Sequence, residues 1–123
     1  MTINQAIARI DNLRDNSMTA DIKIMHLEAV DRQVYEEIIK GREGAEAVDF
    51  PTYTDNDGEK VLLVPSPYDM LYVYRLESEI CYTLQEIDRQ ANALTRYNEL
   101  MDAFARKYAR EHKALPHAPV IYY

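Results

Sequence analysis

Residues 64–90 read VPSPYDMLYVYRLESEICYTLQEIDRQ, and this stretch decides the fold. It opens as a helix: Ser66 is placed to cap, Pro67 takes the first helical position, and Asp69 gives an acidic first turn. Then Tyr68, Leu71, Tyr72, Val73, Tyr74, Leu76, Ile80 and Tyr82 fall within about four turns and point to nearly every side. A helix on the surface of a monomer needs only one apolar stripe. Something must therefore cover this one on its other sides as well.

No glycine or proline occurs between Pro67 and Pro116, and inside that window lies the clearest regularity of the chain. Val73, Ile80, Ile87, Leu94, Met101 and Tyr108 recur every seven residues, with Leu76, Leu84, Ala91, Tyr97, Phe104 and Ala105 between them. A strict heptad predicts left-handed packing of helix on helix. Unbroken, the segment would run about 65–70 Å at 1.5 Å per residue. Helices average about three turns. A break between Leu84 and Asn92, giving an antiparallel hairpin, competes with the single rod, and base rates tip toward it. Relative to the Val73–Ile80–Ile87 seam, Tyr68, Leu71 and Tyr82 lie on the opposite side at 100° per residue. Either the first two helices wrap that far face within one chain, or it is a subunit interface. Ten tyrosines and no tryptophan tip the reading toward the interface, where tyrosine is enriched.

Upstream, Thr2 and Gln5 match a capping box, and Ile3, Ile7, Ile10 and Leu13 follow at helical spacing. A second helix, capped by Ser17 or Thr19, carries the stripe Leu27, Val30, Val34 and Ile38, with Ile24 and Met25 beside it. Gly41 and Gly44 stop it. Residues 45–65 change character: VDFPTY and KVLLVP flank TDNDGE, and Asp57-Gly58 is a turn signal. The pattern predicts a β-hairpin or hairpin-like arm, with Pro51 on an edge. Two such strands alone are marginal, so the arm must lean on something else. The fold expected is mainly α: a small helical bundle with a long C-terminal helix or helical hairpin, plus one β-hairpin-like arm at about 45–65. Residues 1–116 form a single helical domain and 117–123 an extended tail.

The 123 residues, 47% hydrophobic and 28% charged, suit one folded domain. No apolar run is long enough to span a bilayer and the first residues lack signal-peptide character, so an intracellular origin is expected. Cys81 is the only cysteine, which excludes an internal disulfide and a cysteine-based zinc site. A net charge of −7 argues against nucleic-acid binding by bulk electrostatics. That charge is uneven, with 13 acidic against 7 basic residues over 1–66 and 8 against 7 over 67–123.

Chemical motifs are wanting. Asp55, Asp57 and Gly58 fit the third, fifth and sixth positions of a calcium loop, but Tyr53 and Val64 stand where carboxylates are required. Neither His26 nor His112 has a glutamate three residues before it, and no His-Glu-x-x-His occurs. Ser17, Ser66 and Ser78 lack a nucleophile-elbow context, and the pairs Glu36-Glu37 and Glu77/Glu79 read as solvated helix faces. The expectation is no enzyme, no metal and no cofactor.

Two features point outward. Arg106, Lys107, Arg110 and Lys113 oppose only Glu111 near the end of the last helix. They complement the helix dipole or form a docking patch for an acidic partner or DNA phosphates. The segment LPHAPVIYY, broken by Pro116 and Pro119, ends in Val120, Ile121, Tyr122 and Tyr123. Such a segment either folds back on its own core or adds as a strand to another subunit. Tyr68, Leu71, Tyr72, Tyr82, Arg106, Lys107, Arg110, Val120, Ile121, Tyr122 and Tyr123 are thus the expected partner-contacting residues.

The segments DIKIMHLEAVDRQVYEEII (21–39), VLLVPSPYDMLYVYRLESEI (61–80) and RYNELMDAFARKYAREH (96–112) resemble the head–tail connector, or adaptor, proteins of tailed bacteriophages. The resemblance covers most of 17–116 and includes no catalytic motif. It implies a structural virion subunit that joins a ring of twelve copies in the neck, assembled in the host cytoplasm. Its partners would be copies of itself, the portal protein and a tail-side connector or stopper, with DNA passing through without specific binding and no membrane contact. A dimeric cytoplasmic helical regulator or protein-binding module of phage or bacterial origin is the alternative, joined through the heptad seam.

Overall fold

In α1, Ile3–Leu13, the capping box forms as its residues require: Gln5 N donates to Thr2 Oγ1 at 3.1 Å and Thr2 N to Gln5 Oε1 at 2.8 Å. Ile3, Ala6 and Ile10 are its buried stripe. The structure, a computed structural model, describes residues 1–116. The expected tail, 117–123, lies outside the described residues, and with it Val120, Ile121, Tyr122 and Tyr123. Helix α2, Ala20–Val34, is preceded by Thr19 rather than Ser17 at the cap and runs on into a π-helical turn, Tyr35–Ile39. Gly41 and Gly44 then take φ of +82° and +85°, the left-handed conformation that ends helices, as their positions predicted.

Helix α3 spans Met70–Thr83 and starts later than the sequence indicated. Tyr68 N bonds Pro65 O at 3.0 Å across a cis Ser66–Pro67 peptide, Leu71 N bonds Tyr68 O, and Asp69 takes the cap position instead of Ser66. Helix α4 spans Ile87–Glu111. Between them the chain reverses, so the hairpin and not the single rod is formed. Gln85 stands at φ +57°, Glu86 N bonds Cys81 O at 2.9 Å and Gln85 N bonds Tyr82 O at 3.1 Å. These two bonds make a Schellman cap with glutamine where glycine is usual. A side chain in this conformation costs about 1 kcal/mol. Replacing Gln85 with glycine is therefore expected to raise stability by about 0.5–1 kcal/mol, read as a shifted urea midpoint at unchanged slope.

The reversal answers the question posed by the aromatic stretch. α3 is the central rod: α4 packs along one side, and α1 and α2 cover the other. Leu71, Tyr72, Val73, Leu76, Ser78, Ile80 and Cys81 are all buried. Leu71 and Tyr72, expected at a partner interface, are instead fully enclosed in the subunit's own core. The chain itself supplies the far-face cover, and each such side chain removed from water contributes about 1.5–3 kcal/mol. The heptad does not run through the turn. Leu84 and Ile87 are exposed at the turn, but beyond it the count resumes: α4 buries Tyr97, Met101, Phe104 and Ala105, all of them seam residues, together with Ala93. The reversal folds the seam back on itself, so that its α3 part packs against α4 in one core.

The arm does not form a β-hairpin. Two turns meet at Asp57: Asp57 N bonds Thr54 O around Asp55-Asn56, with Thr54 N donating to Asp57 Oδ2 at 2.7 Å, and Lys60 N bonds Asp57 O around Gly58-Glu59. The following residues pair with the N-terminus instead of with 48–53. Val61 and Thr2 form an antiparallel bridge, Leu62 N bonds Met1 O, and Ile3 N bonds Lys60 O. Asn4 N reaches Gly58 O at 2.9 Å, and a Cβ on Gly58 would lie 2.3 Å from Asn4 Oδ1, so a larger residue there would have to push the exposed Asn4 side chain aside. The preceding residues are held against α2. The arm is a strap laid over the bundle, which provides the support two isolated strands would lack.

Candidate functional site

One face of α2 holds the strap. Glu28, Asp31, Arg32 and Tyr35 share that face by helical spacing. Tyr53 N donates to Glu28 Oε2 at 2.8 Å, Arg32 Nε donates to Pro51 O at 3.0 Å, and Arg32 lies over the Phe50 ring. Tyr35 meets Phe50 edge-on at 5.5 Å. At the centre is Asp31, fully buried. It accepts from the Tyr53 hydroxyl, from the Tyr72 hydroxyl at 2.5 Å and from Leu63 N at 3.1 Å. Tyr72 Oη in turn accepts from Val64 N at 2.8 Å. Burial pushes the Asp31 carboxyl above the ordinary aspartate range, while Tyr53, Tyr72 and the Leu63 amide pull it back. The sequence reading overlooked this node, although its signal is present: Asp31 is the charged residue on the stripe between Leu27 and Val34.

Burial first, and the Asp31 charge second, raise the Tyr72 and Tyr53 hydroxyls above the ordinary tyrosine value. Burial also raises Tyr97 and Tyr108. The folded values lie above the unfolded one, so this stabilisation is complete below pH about 10 and is lost as the pH climbs from there. An alkaline titration is expected to show loss of helix above pH about 10. The tyrosinate absorbance of the enclosed rings should appear together with that loss.

Besides Phe50 and Val61, exposed on the strap, the surfaces offered to a partner lie at the two ends of the bundle. At one end α1 and α3 finish and α2 and α4 begin. Tyr82 is 66%, Leu84 53% and Ile87 75% exposed there, with Leu13, Ile22 and Met25 also outward. Between the start of α2 and the end of α3 runs a groove of ≈ 440 Å³, its lining including Met18, Ile22, Ile80, Tyr82 and Leu84. His26 stands on its rim, 4.0 Å from Glu79. Arg14 fixes this end, donating Nη1 to Glu86 Oε2 at 2.7 Å and Nη2 to Oε1 at 3.0 Å. That guanidinium holds the Glu86 carboxyl below its ordinary range. Exposed apolar area gathered in one place marks a docking surface more than scattered residues do.

The opposite end carries the basic residues. Arg106 and Arg110 are exposed and pair with no described residue. Lys107 sits 3.8 Å from Glu111 and 5.8 Å above the Tyr68 ring. Tyr68 is half-buried, its ring 6.0 Å from that of Phe104. Of the residues expected to meet a partner, Tyr82, Arg106 and Arg110 are therefore exposed, Tyr68 and Lys107 partly so, and Leu71 and Tyr72 enclosed. Leu84 and Ile87 were counted in the seam and became surface because the chain turns between them. The structure does not bring the two sets together. Tyr82 and the basic group stand at opposite ends of α4, a helix of 25 residues and hence about 37 Å.

Among the described residues no group of three or more His, Cys, Asp or Glu is placed to hold a metal, and no helix is long and apolar enough to cross a membrane. No family model, curated protein or solved structure matches the chain.

Proposed function

We propose that the chain is a structural subunit of a tailed-phage neck, a head–tail connector or adaptor that assembles into a ring between portal and tail. The observation that carries the reading is the separation of two unlike surfaces, an exposed apolar end and an exposed basic end, on a bundle that covers its own sides. A closed two-fold dimer uses one self-complementary patch, whereas rings and stacked assemblies use two different ones. The interface first sought along α3 moves in this reading to the bundle's end, at Tyr82, Leu84 and Ile87. The net charge of −7 fits a channel wall past which DNA slides without sticking, since like charge disfavours binding. The resemblance of 21–39, 61–80 and 96–112 to connector proteins supplies the named role. No step of this function asks for a catalytic group or cofactor; its partners are further copies, a portal and a tail-side connector or stopper.

The test is the mass of the purified protein in solution, alone and mixed with a purified portal. A discrete ring, or a monomer that becomes one on the portal, is the expected result. A dimer indifferent to the portal overturns the connector reading and favours the dimeric regulator.

A further inference from the structure

We propose that residues 120–123 of one copy dock in the groove between the start of α2 and the end of α3 of a second copy, joining subunits head to tail. This deepens the ring reading and rests on it. Leu115 N is held by Gly41 O at 2.8 Å and Ala114 bridges Arg42, so the last described residues are anchored beside the end of the π-helical turn. The groove lies at the other end of that same rod. Ile22 is 17 residues before Ile39, about 25 Å along the axis at 1.5 Å per residue. Tyr82 and Leu84 lie farther still, beside the start of α4, whose 25 residues span about 37 Å.

Four residue steps carry Val120 at most about 14 Å from Pro116, five carry Ile121 about 18 Å and seven carry Tyr123 about 25 Å, even fully extended. A chain can therefore bring at most its last residues to the near rim of its own groove, and cannot lay Val120 and Ile121 beside Ile22, Tyr82 and Leu84. The segment VIYY is apolar and aromatic, and the groove at the far end presents Met18, Ile22, Ile80, Tyr82 and Leu84. Burying the one in the other removes apolar area from water on both sides. The described chain ends at the end of the bundle opposite the groove, so each subunit takes one segment and gives one. The contact is heterologous, and its repetition closes a ring or extends a fibre.

The experiment uses two full-length double variants, each helical by circular dichroism. Tyr82→Asp with Leu84→Asp disables the groove at two exposed positions, and Val120→Asp with Ile121→Asp disables the segment. Ile22→Asp serves as a second groove variant. Sedimentation velocity is run on the intact chain, on each variant alone and on an equimolar mixture of groove and segment variants. Each variant alone is expected to lose self-association by at least about tenfold in Kd. The mixture is expected to form a pair that grows no further, because one intact groove meets one intact segment.

If the intact chain associates but the mixture does not pair, the segment–groove contact is overturned while the ring reading survives through another contact. An intact chain that stays monomeric, with a mixture that also stays monomeric to about 100 µM, likewise overturns the contact. The ring reading then depends on the portal mixture alone. A melting temperature lowered by several degrees in the monomeric Val120→Asp/Ile121→Asp variant shows the segment covering its own subunit, and also overturns the proposal.

Discussion

Replacing Asp31 with alanine is expected to lower the unfolding free energy by about 3–4 kcal/mol and the melting temperature by about 10–15 °C. The carboxylate is the shared acceptor for the Tyr53 hydroxyl, the Tyr72 hydroxyl and the Leu63 amide, all at a fully buried site. Removing it leaves donors without partners where water does not reach, and each such group costs about 1–3 kcal/mol. Part of that loss is offset, because burying the carboxylate is itself unfavourable, as its raised pKa records. Asparagine keeps one acceptor oxygen but turns an amino group toward the donors, so Asp31→Asn should lose about 2 kcal/mol. Amide exchange at Leu63 and Val64 should quicken in both variants, because the strap detaches from α2 before the bundle opens. A change under 1 kcal/mol in urea unfolding would show that the strap is held chiefly by Glu28 and Arg32 instead.

The second large effect concerns the face that the sequence left open. Leu71→Ala is expected to destabilise the isolated subunit by about 2–5 kcal/mol, with no dependence on protein concentration. Leu71 is fully enclosed within one chain, so the deletion opens a cavity in the core rather than trimming a contact between subunits. Thermal unfolding across a hundredfold range of concentration is the check. A melting temperature that matches the wild type at low concentration and falls behind it only at high concentration would place Leu71 at an interface. Tyr82→Ala makes the useful contrast, since Tyr82 is 66% exposed and its removal should leave subunit stability within about 0.5 kcal/mol.

Much of the fold was legible because its signals are local. The Thr2–Gln5 capping box, the paired glycines after α2 and the apolar stripe of α2 act within a turn or two of the chain, and all appear as read. That the chain turns around Asp57 was legible for the same reason, although in two turns rather than one at Asp57-Gly58, and the partner strand was not legible. Val61 pairs with Thr2, and nothing within a window around 45–65 marks that distant edge. The reversal at Gln85 was left open between two readings because its cap uses glutamine, and the hydrogen-bond pattern rather than residue type defines it. The candidate site was legible in part. Tyr82, Arg106 and Arg110 are exposed, whereas Leu84 and Ile87, seam positions by their spacing, fall at the turn that interrupts the seam.

By itself the sequence determined that this chain is helical, where α1 is capped and α2 stops, and that α3 has to be covered on more than one side. Those are consequences of backbone capping and side-chain period, which each segment carries with it. Only the tertiary structure decided what does the covering. α1 and α2 close the far face of α3, Asp31 gathers a strap from residues more than twenty positions away, and most of the exposed large apolar side chains are left at one end of the bundle, with Phe50 and Val61 on the strap. Period determines that a face is apolar, but which apolar face meets which depends on where the chain turns, and one residue at Gln85 sets that direction.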